Sequence, residues 1–154
     1  MTTIDFVSQN KIYALPVWTD VLVMFYNKDL FNTANVAVPP KTWDDFIKAA
    51  GKLSGKDKFG SLIKSGAAIG TANNVNNAAD ILSLLMLQSG AKMISDDGRE
   101  AAFDRPITVG GSTYKPGESA LRFYADFASP KSSAYIWNDK LPNSFDAFTS
   151  GQTA

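Results

Sequence analysis

The sequence predicts an α/β fold in which helices flank a central sheet. Three features carry that prediction: the unbroken apolar run Val21-Leu22-Val23-Met24-Phe25-Tyr26, a one-sided helical pattern starting at Trp43, and a second helix from Ile81 that is apolar nearly all round. An apolar run without alternation is what a strand covered on both faces requires. Helices lying on a sheet supply those covers, so the patterns support one layered architecture.

Ile12-Tyr13-Ala14-Leu15-Pro16 reads as a short strand ending at a proline, and Val21–Tyr26 as the next strand. Asn27 then offers its side-chain oxygen as an N-cap for a brief helix from Lys28 to about Thr33. Pro39-Pro40 breaks the chain before the clearest helix. Thr42 caps it, and Asp45 gives a variant of the capping box with aspartate in place of glutamate. Asp44 and Asp45 also suit the positive end of the helix dipole. Trp43, Phe46, Ile47, Ala50 and Leu53 form its apolar stripe, and Gly55 ends it.

Phe59–Ile63 is a further buried strand by pattern. Gly66–Asn77 is small and polar, with Asn73, Asn74, Asn76 and Asn77 in close succession. Asn77 and Asp80 have capping-box spacing, which starts the buried helix, and Ser89-Gly90 stops it. Ile107–Tyr114 around Gly110-Gly111 predicts a hairpin. A helix from about Gly117 to Ala128 should turn Leu121, Tyr124, Ala125 and Ala128 inward. Ser144 caps a last short helix with Phe145 and Phe148 inward.

Composition narrows the function. The 154 residues are 45% hydrophobic and 19% charged, an ordinary globular balance. Fifteen basic and 15 acidic side chains cancel, which removes the electrostatic footprint of a nucleic-acid or anionic-membrane binder. There is no cysteine, hence no disulfide framework or thiolate metal site. There is no histidine either, which excludes Ser–His and Cys–His nucleophile systems and the commonest imidazole metal ligand. No apolar run approaches the roughly 20 residues of a membrane span. Met1-Thr2-Thr3-Ile4-Asp5 carries no secretory pattern, so any targeting segment is expected outside this sequence.

Motifs for chemistry fail one by one. Gly51-Lys52-Leu53-Ser54-Gly55-Lys56 is one residue short of a phosphate loop and has Asp57 where a magnesium-binding hydroxyl belongs. Asp96-Asp97-Gly98 lacks the alternating ligands of a calcium loop. The adjacent pairs Asp44/Asp45 and Asp96/Asp97 belong to a helix start and a turn. Adjacency in sequence is no evidence for two carboxylates facing each other across a cleft, as glycoside hydrolysis requires. The expectation is a binder: no enzyme, no catalytic residues, no metal and no cofactor.

Three segments in order resemble extracellular solute-binding proteins of ABC importers, the family typified by maltose-binding protein. They are Ile12–Pro16 through Tyr26-Asn27-Lys28-Asp29-Leu30-Phe31, then Pro39-Pro40-Lys41-Thr42-Trp43-Asp44-Asp45-Phe46, then Phe145-Asp146-Ala147-Phe148-Thr149-Ser150-Gly151-Gln152-Thr153-Ala154. The resemblance implies a type II periplasmic-binding-protein-like lobe, here incomplete. Residues 1–16 would be the hinge-side segment of a first lobe and residues 17–154 the second lobe, truncated at its C-terminal end. It further implies a periplasmic or outer-surface, lipid-anchored parent that hands a small solute, a sugar or polyol, to a membrane permease. The missing strand after Ala154 is expected to leave a sheet edge open to dimerisation or strand exchange, and the chain alone to bind sugar poorly.

By the same resemblance Trp18-Thr19-Asp20 would lie at the cleft. An ionised carboxylate such as Asp20 only accepts, and two neighbouring sugar hydroxyls can both donate to it. Trp18 would stack on the C–H face of a pyranose. The amides of Asn73, Asn74, Asn76 and Asn77 match hydroxyls that both give and accept, although asparagine is also an ordinary turn and cap residue. An asparagine-rich loop favours a smaller, more polar solute than a stacked oligosaccharide. Two alternatives stand beside this one: an anionic solute held at the helix N-terminus near Asn77, and a non-catalytic interaction module. Tyr26, Trp43 and Phe46 are expected to be structural, and Trp137 is open between core and cleft.

Overall fold

A computed structural model describes residues 7–8, 11–15, 17–18 and 20–154. Within them the order is β1 (Val7–Ser8), β2 (Lys11–Ile12), α1 (Lys28–Thr33), α2 (Trp43–Leu53), β3 (Gly55–Lys56) and β4 (Leu62–Lys64). There follow α3 (Ala78–Gln88), β5 (Ile107–Val109), β6 (Ser112–Tyr114), α4 (Pro116–Asp126) and α5 (Ser144–Thr149). The fold is mixed α/β, but its sheet content is three two-stranded antiparallel ladders, β1-β2, β3-β4 and β5-β6. One parallel bridge, Ser65 to Thr153, joins the end of β4 to the last residues of the chain.

Two of the four caps expected from the sequence form as expected. Asn27 Oδ1 accepts from Asp29 N and Leu30 N at the start of α1, and Thr42 Oγ1 accepts from Asp45 N at 3.1 Å at the start of α2. Asn77 occupies the N-cap position of α3 without a side-chain bond, so the capping box expected with Asp80 does not form. In the last helix Asn143, one residue before the expected cap, accepts from Phe145 N. Gly110 and Gly111 both hold positive φ, 59° and 83°, the requirement of the tight turn between β5 and β6.

Four departures from the sequence reading have physical causes. Val21–Tyr26 forms no strand; among the described residues nothing pairs with it, and Val21, Val23 and Phe25 are exposed. Strand β4 begins at Leu62 because Asp57 Oδ1 accepts from Phe59 N and Ser61 N, folding Asp57–Gly60 into a turn and leaving Phe59 exposed. Helix α4 turns Ala120, Tyr124 and the following Phe127 inward, so Leu121 and Ala125 face solvent. Helix α5 buries Ala147 and exposes Phe145, while Leu87 stands exposed on α3.

The core lies where α2, α3 and α4 meet. Trp43, Phe46, Phe123 and Phe127 make a chain of edge-to-face rings with centroids 5.2–5.8 Å apart, a geometry that aligns ring edges with ring faces. Trp43 Nε1 donates to Gln88 Oε1 at 2.8 Å, tying α2 to α3. Gly66 lies flat against α2: a Cβ there would overlap the Ala50 carbonyl. The neighbouring Ser65, almost wholly buried, donates its hydroxyl to Ile136 O at 2.7 Å.

Trp137 is fully buried and belongs to this core. Its indole N–H donates to Asn74 Oδ1 at 2.9 Å, and Thr71 Oγ1 donates to the same oxygen. Asn74 Nδ2 donates to Asn138 O at 3.0 Å and Leu141 O at 2.9 Å. One amide therefore clamps loop 70–77 to loop 138–143, and Ser144 N donates to Asn74 O at 2.8 Å to close the junction. Buried Tyr124 adds a bond from its hydroxyl to Thr71 O at 2.8 Å.

Two outcomes follow. Asn74→Asp keeps the size but removes the donor, setting a carboxylate against two carbonyls, and should destabilise the chain by about 2–3 kcal/mol in urea unfolding. A value within ~0.5 kcal/mol of the parent would contradict this clamp. Burial raises the Tyr124 phenol above its ordinary value. The unfolded chain then ionises first, so the stabilisation is full below the ordinary phenol pKa of about 10 and falls as pH rises beyond it. Urea midpoints above that pH should fall less steeply for Tyr124→Phe, and parallel curves would refute the assignment.

Candidate functional site

A groove of about 710 Å³ is lined by the segment Leu22–Tyr26, by Gly66–Ile69 and by Thr153-Ala154, among others. Most of its surface is apolar, from Met24, Phe25, Phe46, Ile69, Ile81 and Leu84 among others. Its polar lining includes Asn76, Asn77 and Ser144. These three sit where the N-termini of α3 and α5 come together, because Asn76 N donates to Ser144 Oγ at 3.1 Å.

The expected site residues separate into groups. Asn76 and Asn77 line the groove, and both are exposed. Asn76 Oδ1 accepts from Asn143 Nδ2 at 2.7 Å, which orients its amide and directs its N–H pair away from Asn143. Asn73 is exposed on the same loop but outside the groove lining. Asn74 is half-buried, and both ends of its amide are engaged within the protein, which positions the loop. Trp18 is 82% exposed and Asp20 is exposed; neither lines the groove, and Asp20 Oδ1 accepts from the next backbone amide, Val21 N, at 2.9 Å. Thr19 lies outside the described residues, as does most of the segment 1–16.

Sequence reasoning missed two neighbours of the site: Ser144, which lines the groove beside Asn76, and Asn143, which donates to Asn76 Oδ1. The signal was present, since Asn143-Ser144 precedes a helix as a cap pair does. What brings it beside Asn76 is the Asn74–Trp137 junction, a contact across more than 60 positions of sequence that no local pattern encodes. Chemically Asn76, Asn77 and Ser144 are neutral donors and acceptors, and the lining also carries one cation, Lys41. Among the described residues no group of three or more His, Cys, Asp or Glu converges as metal ligands would. No helix among them is long and apolar enough to cross a membrane.

Known proteins share this fold and parts of this sequence. A solved structure of an ABC transporter solute-binding protein from Thermotoga lettingae TMO, bound with alpha-D-tagatose, superposes with a TM-score of 0.59 at 24% identity, covering 84% of this chain and 30% of that one. A protein of Brucella abortus (strain 2308) named only as a binding protein is 38% identical over 56 residues, 35% of this chain and 14% of its own length. A protein of Sinorhizobium fredii (strain NBRC 101917 / NGR234), whose name gives it as a probable periplasmic amino-acid-binding component of an ABC transporter, is 32% identical over 66 residues. That match takes in 42% of this chain and 15% of the relative. The chain thus spans a minor part of each protein it matches. Residues 2–154 match the family described as bacterial extracellular solute-binding protein, and the chain belongs to that family.

Proposed function

We propose that this chain is a lobe of the substrate-binding component of an ABC importer, that its solute is a small sugar or polyol, and that it grips this solute without transforming it. Family membership over residues 2–154 carries the reading. The neutral rim of Asn76 and Asn77 supports the choice of solute, because amides pair with hydroxyls in both directions without demanding a charge. The tagatose held by the structural neighbour is in keeping with it. Asn73, Trp18, Thr19 and Asp20 would complete the contacts, the tryptophan through its exposed face and the aspartate as an acceptor.

The covered share of the neighbour, 30%, supports a solute enclosed jointly with a second lobe. In this reading residues 1–16 are the hinge-side segment of that first lobe. The whole protein would work outside the cytoplasmic membrane, periplasmic or lipid-anchored, and deliver its solute to a permease. A half-enclosed ligand retains little affinity, since most of its surface stays in water. Isothermal titration of the 154-residue chain with D-tagatose and a hexose panel should therefore show no micromolar binding. The longer protein that contains the chain should bind, and Asn76→Ala in it should weaken binding about 5–10-fold, the worth of one or two neutral hydrogen bonds. Binding of organic anions in place of sugars, or micromolar sugar binding by the chain alone, would overturn this assignment.

The exposed run Val21, Val23 and Phe25 also supports self-association of the isolated chain by strand pairing or exchange. Light scattering should then give twice the 16.6 kDa of one chain at high concentration. A monomer at every concentration would contradict it.

A further inference from the structure

We draw no further inference here: the strongest candidate, the apolar groove of about 710 Å³ lined by Leu22–Tyr26 and Gly66–Ile69, carries none because nothing in the structure shows what covers it.

Discussion

Buried polar groups must find partners, and in this chain one side chain answers for several at once. Trp137 is wholly enclosed and needs an acceptor for its indole N–H; the Leu141 carbonyl takes a donor from Asn74, and the Asn138 carbonyl accepts from Asn74 as well as from Leu141 N. The Asn74 amide is the group that has both, an oxygen for the indole and two N–H bonds for the carbonyls. Through it the loop between β4 and α3 is fixed against the loop before α5. Together with the bonds of Asn76 to Asn143 and Ser144, this sets Asn76, Asn77 and Ser144 side by side at the groove.

The groove obeys a second constraint. Segment Leu22–Tyr26 has the composition of a buried strand, yet a strand is stabilised by its neighbours as much as by its own side chains. Among the described residues no ladder reaches it, and the parallel bridge from Ser65 to Thr153 does not include it. The apolar side chains are consequently left open to solvent. The pattern identified the kind of environment these residues suit, and the tertiary arrangement decides whether that environment is present.

Local chemistry was the most legible part of the sequence. Asn27 and Thr42 cap the helices they precede, and Gly110-Gly111 turns the hairpin, because each effect acts within a few residues. Helix faces were less legible. In α4 the buried side is set by Phe127 reaching the rings of Phe46 and Phe123, which rotates the face away from Leu121. In α5 the small Ala147 is buried and the larger Phe145 is not, so hydrophobicity alone pointed the wrong way. At the site, the asparagine-rich loop was visible, but its division of labour was not: whether an asparagine bonds a ligand or its own fold depends on partners more than 60 residues distant.

Asn74 holds the loop through both ends of its amide, and under the proposed function the solute contacts fall to its neighbours. The direct measurement is a ¹H–¹⁵N spectrum of the side-chain amides during a titration with D-tagatose to high concentration, where weak binding is still visible. The Asn76 and Asn77 amides, with Asn73 beside them, should shift progressively while the Asn74 amide stays in place. Unmoved rim amides, or a shift of the Asn74 amide alone, would contradict it.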